Sequence, residues 1–514
     1  MSFPRKLPIG VQSFKVLRND RYLYVDKTEY ITQLVTSSRV YFLSRPRRFG
    51  KSLFLSTLAA YFLGQKELFK GLYLEQAEEE QAVLESRTAW QEYPVFYLDF
   101  NTKNYTDSGA LNDRLHVMLS EAESLYGIST SKEAQPFFAS RFERLIKAAY
   151  QQTGKQVVIL VDEYDKPLLQ TMDVNEALNE NYRNTPKAFY SVIKTCDEYI
   201  RFAFLTGVTK FSKISIFSDL NNLKDISLHE TYAGICGITQ KELEANFQPE
   251  IQVLADSQDL TYQETLTTLQ QWYDGYCFVP AGEGMYNPFS LLNAFAKERF
   301  GSYWFETGTP TFLVNYLKDA HYFIPDLDGQ VVLTESELQT YRAIAQEPFP
   351  ILFQSGYLTI KEAGLYRLGF PNDEVRYGFF ENLLSAYSDV PFGQTGVWVG
   401  RFVQDIRKGK VDAFMERMQS LIAGISYNNF SSKELKLREQ NYQTAVYLIF
   451  KLMGQFVQTE VHCYSRTAKD VIVKECTSCT FFNFEFALQT RFCCEPLTSC
   501  QSSEFAACKL TSKH

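Results

Sequence analysis

An apolar run, Val40-Tyr41-Phe42-Leu43, leads into Ser44-Arg45-Pro46-Arg47-Arg48-Phe49-Gly50-Lys51-Ser52. Leu53, Phe54, Leu55, Leu58, Tyr61 and Phe62 follow at roughly helical spacing. Strand, tight loop, Gly-Lys-Ser and helix is the order of a phosphate-binding loop. The chemistry asks for these types in this order. Gly50 lets the backbone approach a phosphate closely. Lys51 reaches the β- and γ-phosphates as a point charge, and the Ser52 hydroxyl ligates Mg²⁺. The free N–H groups of the helix start add partial positive charge. The candidate cradle therefore comprises Arg47, Arg48, Phe49, Gly50, Lys51, Ser52 and Leu53. One position departs from the general pattern G-x-x-x-x-G-K-[ST], which has glycine where this chain has Arg45.

A second signal lies about a hundred residues on. Val157, Val158, Ile159, Leu160 and Val161 form an unbroken apolar run that ends in Asp162 and Glu163. Five apolar residues in a row suit a central parallel strand covered on both faces. Carboxylates at the C-terminal end of such a strand stand where open α/β sheets bind ligands. Asp162 is the candidate Mg²⁺ ligand, and Glu163 the residue that orients the attacking water. Together the two motifs indicate an ATP-type nucleotide site.

Ser-Arg-Pro-Arg-Arg-Phe-Gly-Lys-Ser and Val-Ile-Leu-Val-Asp-Glu-Tyr-Asp-Lys-Pro resemble the AAA-ATPase-like family of bacterial P-loop proteins. The resemblance runs from Leu7 to about Leu488. It implies a P-loop core, ATP and Mg²⁺ as bound groups, and a C-terminal PD-(D/E)XK nuclease-like domain. The family also accepts arginine at the position of Arg45. By the same resemblance the strand beside the acidic one ends in a polar sensor of the γ-phosphate, here Thr206, after Phe202-Ala203-Phe204-Leu205. Lys210 and Lys213 are the nearest cations able to offset charge on the leaving phosphoryl group. The sequence assigns no arginine finger: Arg47, Arg48 and a residue from a neighbouring subunit stand as alternatives, and Tyr24 and Val25 are candidates for a wall of the adenine pocket.

The totals describe an ordinary globular protein. Of 514 residues, 45% are apolar and 15% aromatic, enough for several cores. A net charge of −8 gives no overall pull towards nucleic acid. No apolar stretch approaches the ~20 residues needed to span a bilayer, and the N-terminus lacks the apolar core of a secretory signal. The expected location is cytoplasmic, without membrane contact. Nucleic acid and a second copy of the chain stand as candidate partners beside ATP.

In chain order, Asp26 with Glu29 predicts a capping box and a helix from about Lys27. Val95-Phe96-Tyr97-Leu98 reads as another buried strand, closed by a structural Asp99. Asp165 and Lys166 form a salt bridge within the turn before Pro167, or meet a substrate or partner. Thr239 with Glu242 caps a helix that opens a more helical region, whose Trp-Tyr-Asp-Gly-Tyr-Cys-Phe and Met-Tyr-Asn-Pro-Phe-Ser motifs read as core. A helix and two strands joined by a polar turn at Lys361 to Gly364 fit a winged-helix-like module. The expected architecture is thus α/β: a P-loop core with a parallel sheet at 1–230, a helical lid at 231–300, the winged-helix-like module at 301–385 and a degenerate nuclease-like domain at 386–514.

In that last domain Glu439, Asp470 and Glu485 occupy the nuclease-like carboxylate positions, but Ala487 stands where a lysine belongs. Nuclease activity is therefore expected to be weak or absent. Three cysteines (196, 236, 277) precede residue 460, and seven (463, 476, 479, 493, 494, 500, 508) follow it. Only Cys476 and Cys479 have zinc-pair spacing, so the tail is read as adventitious. The function expected is Mg-dependent ATP hydrolysis driving domain rearrangement. The alternatives are an ATP-gated switch with little turnover and an ATPase-controlled nuclease.

Overall fold

The computed structural model describes residues 5–128, 137–171, 175–210, 220, 222–280, 282–305, 313–314, 317–318, 322–338, 348–362, 366–388, 394–423, 443–454, 456–459 and 471–474. The described residues of 1–308 and 329–375 form one compact unit, and those of 309–328 and 376–514 a second.

The first unit is built on a five-stranded sheet: β1 (Val40–Ser44), β2 (Val95–Asp99), β3 (Val157–Asp162), β4 (Ile200–Gly207) and β5 (Lys224–Asp225). The order is β2-β3-β4-β1-β5, and every pairing is parallel. Every residue of β1 and β3 is buried, as a strand covered on both faces requires. The chain is thus α/β. Up to residue 296 the described residues of this unit include, in chain order, the helices α1 (Phe14–Asn19), α2 (Glu29–Ser37), α3 (Lys51–Phe62), α4 (Tyr73–Leu84), α5 (Ala110–Leu125), α6 (Phe138–Thr153), α7 (Lys166–Thr171), α8 (Glu176–Thr195), α9 (Gln240–Asn246), α10 (Gln248–Ser257), α11 (Tyr262–Tyr273) and α12 (Pro288–Ala296). Helix α3 packs on β2 and β3, and α6 on β3. Because β4 lies between β1 and β3, the loop after β1 and the carboxylates after β3 flank one strand end.

Helices α9 to α12 enclose a second cluster around Phe247, Leu254, Leu269, Tyr273, Tyr286 and Phe295, against which Leu7, Ile9, Leu23 and Val25 pack. Its entry is fixed locally. Thr239 accepts from the Glu242 backbone N–H at 3.1 Å, and the Glu242 carboxylate returns to the Thr239 N–H at 2.8 Å, a full capping box. Glu242 also pairs with the buried ammonium of Lys27 at 2.6 Å. Further along, β6 (Val331–Val332), β7 (Thr359–Glu362) and β8 (Arg367–Gly369) make an antiparallel sheet in the order β6-β8-β7, with the helix Phe349–Ser355 between β6 and β7 in the chain. The segment 301–385 is shared between the two units.

In the second unit the helices Thr395–Arg407 and Val411–Ala423 pack through Phe402 and Phe414, and Phe414 meets Phe450 at 6.0 Å. Strands β9 (Phe456–Thr459) and β10 (Val471–Lys474) pair antiparallel.

Two local expectations are corrected. Helix α2 begins at Glu29 with Thr28 as N-cap, not near Lys27, and Asp26 makes no capping box. Its carboxylate is drawn away, accepting from the N–H of Thr28 at 2.9 Å and from that of Tyr73, at the start of α4, at 2.7 Å. Asp165 and Lys166 do not bridge the turn between them. Lys166 donates to the side-chain oxygen of Asn101 at 2.8 Å. Asp165 is wholly buried and accepts from the backbone N–H of Val208 (3.0 Å) and Thr209 (2.6 Å) and from the Thr209 hydroxyl (2.7 Å). It ties the loop after β3 to the loop after β4. The fit is tight, since a Cβ on Gly207 would stand 2.5 Å from the Asp165 carboxylate and 2.6 Å from the Tyr164 ring. Burial, with the neighbouring charge of Glu163, pushes the Asp165 carboxyl up to about 6.

Asp165→Ala strips three buried donors of their acceptor. It is expected to cost about 2–4 kcal/mol in urea unfolding, and Asp165→Asn, which keeps one carbonyl, distinctly less. The raised carboxyl favours the protonated form in the fold. Between pH 4 and 6, Asp165 should therefore lower stability as pH rises, a slope that Asp165→Asn removes in pH-dependent melts.

Candidate functional site

The five strands present their C-terminal ends to one locus. Ser44 closes β1 and hands the chain to the loop, where Gly50 takes φ 94°, a left-handed conformation natural to glycine, as N-cap of α3. Two non-glycine residues at the locus also have positive φ: Arg48 at 66° and Glu163 at 53°. Each such residue stores strain of roughly 1–3 kcal/mol that the surrounding packing must hold.

Lys51 opens α3 and is buried, 4% exposed. Its ammonium donates to the carbonyls of Arg45 (3.0 Å) and Pro46 (3.2 Å) and lies 3.6 Å from the Glu163 carboxylate. Asp162, at the end of β3, is also buried. The Thr206 hydroxyl, from the end of β4, donates to Asp162 at 2.8 Å and to the Val161 carbonyl at 3.3 Å. Burial raises the Asp162 carboxyl above the ordinary range and Glu163 adds to that, while the hydroxyls of Ser52 and Thr206 and the charge of Lys51 hold it down. Lys51, Ser52, Asp162, Glu163 and Thr206, drawn from three adjacent strand ends, thus form one cluster. Their oxygens are hard donors of the kind Mg²⁺ takes.

The rest of the cradle divides by role. Arg47 and Arg48 are exposed, and the Arg48 guanidinium lies over the Phe289 ring, 4.9 Å from its centre. Phe49 is 1% exposed and its ring is turned away from the helix start, edge-on to Tyr276 at 4.8 Å and Phe278 at 5.4 Å. Its backbone carbonyl accepts from the Gly237 N–H at 3.1 Å, and the Trp304 indole donates to the Arg47 carbonyl at 3.2 Å. Leu53 is half-buried. The aromatic motifs around Tyr276 and Phe289 are core, and they also grip the apex of the loop.

Several outlying expectations are relocated. Lys210 is buried in an ion pair with Asp225 at 2.8 Å, so its charge is already matched at the end of β5. Lys213 lies outside the described residues. Tyr24 packs edge-on to Phe14 at 5.4 Å, while Val25 joins the cluster of α9 to α12. Asp99 ends β2 in register with Asp162 and accepts from the Asn101 N–H at 2.7 Å, a turn-making role. Glu439, Asp470, Glu485 and the cysteines from 463 onwards all lie outside the described residues. No metal-binding group of His, Cys, Asp or Glu is found among the described residues. No described helix is long and apolar enough to cross a membrane.

One residue near the site is new: Tyr97 on β2, 38% exposed, whose hydroxyl is pushed up by burial and by the charge of Asp162. Its side chain faces outward between the buried Phe96 and Leu98, a departure from the strand buried throughout that the unbroken apolar run suggests. The loop's dependence on Phe49 has a direct consequence. Phe49→Ala empties a space between two rings and is expected to cost about 3–5 kcal/mol in chemical denaturation, whereas Phe49→Leu should cost less than half as much.

The comparisons with known proteins agree with this geometry. Residues 8–217 match the family model described as "Predicted AAA-ATPase". Over 467 residues the chain is 38% identical to an uncharacterized protein in the vnfD 5' region of Azotobacter chroococcum mcd 1, covering 89% of this chain and 84% of that one. That identity extends well beyond the matched segment. With the phosphate-loop cluster at the ends of its parallel strands, this chain belongs to the AAA-ATPase-like family of predicted ATPases.

Proposed function

We propose that the chain binds MgATP at the loop Arg47–Leu53 and hydrolyses it with Lys51, Asp162, Glu163 and Thr206. The observation that carries this reading is the meeting at three neighbouring strand ends of Lys51, bonded to the loop carbonyls and 3.6 Å from Glu163, with the hydrogen-bonded pair of Thr206 and Asp162. The β- and γ-phosphates would lie over Gly50 and the first N–H groups of α3, with Lys51 turned onto them. Ser52 and Asp162 would hold Mg²⁺, which when bound neutralises phosphate charge. Their oxygens are adjacent and Asp162 is buried, so the donor set fits that cation.

The chain's own residues divide the work. Lys51 gives up its bonds to the Arg45 and Pro46 carbonyls in exchange for phosphate oxygens, a stronger charge-assisted pairing. That exchange also loosens its contact with Glu163, leaving the carboxylate to orient water in line with the γ-phosphorus and receive its proton. Thr206 fixes the Asp162 carboxylate through its 2.8 Å hydrogen bond and stands beside the γ-phosphate. Movement of the loop apex would pull on Tyr276, Phe278 and Trp304, coupling nucleotide state to the helical region. The grip of these residues on Phe49 and Arg47 supports that coupling.

Steady-state hydrolysis and equilibrium binding of ATP test the reading. Lys51→Ala should raise the MgATP dissociation constant by ~100-fold, the loss expected of a principal phosphate contact. Glu163→Gln should keep binding within a few-fold while kcat falls by ~100-fold or more. Wild-type protein that binds without measurable turnover, and is unaltered by Glu163→Gln, would instead identify an ATP-gated switch.

A further inference from the structure

Where the general loop pattern has glycine, Arg45 is 1% exposed and heavily engaged. One guanidinium nitrogen donates to the carbonyls of Ser44 (3.0 Å) and Ser227 (2.8 Å), the other to those of Tyr232 (3.1 Å) and Ala233 (3.5 Å). The group lies 4.0 Å from the centre of the Phe278 ring. Its Nε has no hydrogen-bond partner, and no carboxylate among the described residues forms an ion pair with it. Burial lowers its pKa to about 10, which leaves it charged at neutral pH. The backbone of the same residue is equally committed. Its N–H donates to the Gly207 carbonyl at the end of β4 (3.2 Å), and its carbonyl accepts from Lys51 (3.0 Å).

We propose that Arg45 is a positioning residue of the phosphate site, holding the loop's entry strand against residues 227–233 and Phe278 and placing a cation that makes no ion pair behind the triphosphate. This deepens the MgATP reading and rests on it. Glycine at this position elsewhere supplies conformational freedom; here the backbone path is imposed instead, by a side chain braced on four carbonyls. A buried cation whose direct contacts are carbonyl dipoles and a ring face, with the charge of Asp225 farther off and paired to Lys210, also leaves net positive potential in a low-dielectric wall, where it acts strongly on an incoming anion. Restoring the pattern's glycine should therefore weaken the site.

The test compares full-length wild type with Arg45→Gly, Arg45→Met and Arg45→Lys, measuring MgATP dissociation constants, kcat and KM beside thermal melts. Arg45→Gly and Arg45→Met should raise Kd and KM by ~10-fold or more with kcat within about threefold, because Glu163, Asp162 and Thr206 are untouched. Arg45→Lys should recover most of that loss. If the first two fail to melt cooperatively, Arg45→Lys decides: an ammonium reaches fewer carbonyls, so KM should rise about threefold at unchanged kcat. Wild type that binds MgATP while Arg45→Gly binds within about twofold of it overturns this inference alone, as does an unchanged KM in Arg45→Lys. Wild type that does not bind MgATP overturns the functional reading and this inference with it.

Discussion

A buried ammonium needs compensation, and the site is arranged around the way Lys51 gets it. Taking a charge from water into a protein costs several kcal/mol unless hydrogen bonds and opposite charge replace the solvent. Here two loop carbonyls and one carboxylate do so. The carbonyls belong to Arg45 and Pro46, so the loop must fold back over the start of α3. The carboxylate belongs to Glu163, so β3 must end within reach of β1 with one strand between them. The sheet order and the left-handed turn at Glu163 both accord with that arrangement. In the proposed reading phosphate oxygens would take over the role of the two carbonyls.

A second layer keeps the loop from collapsing. Phe49 enters an aromatic pair, Arg45 is braced on carbonyls from the segment before α9, and Asp165 fastens the loops after β3 and β4 to each other. Each tie joins residues distant in sequence, and each is buried. The strained positions at Arg48 and Glu163 persist inside this frame.

Much of this was legible in the sequence because it is local. Apolar runs bounded by acids marked β2 and β3, and the Thr239-to-Glu242 spacing marked the start of α9. Gly-Lys-Ser marked the start of α3. What escaped the sequence was set by distant partners. Asp26 has capping-box spacing, yet its carboxylate serves an N–H 47 residues away. Lys210 stands among polar residues like a free cation, but Asp225 claims it from a two-residue strand too short to register as a pattern. Arg45 looked like an exception to a motif, and all its carbonyl partners but Ser44 lie more than 180 positions on. Spacing rules describe neighbours along one helix or strand; they carry no information about which loop a long side chain will cross.

The most direct measurement is a crystal structure of the full chain grown with Mg²⁺ and a non-hydrolysable ATP analogue. The account predicts the β- and γ-phosphates over Gly50 and the first turn of α3, with the Lys51 ammonium moved from the Arg45 and Pro46 carbonyls onto phosphate oxygens. Analogue bound elsewhere, or none bound at saturating concentration with Lys51 still on those carbonyls, would contradict it.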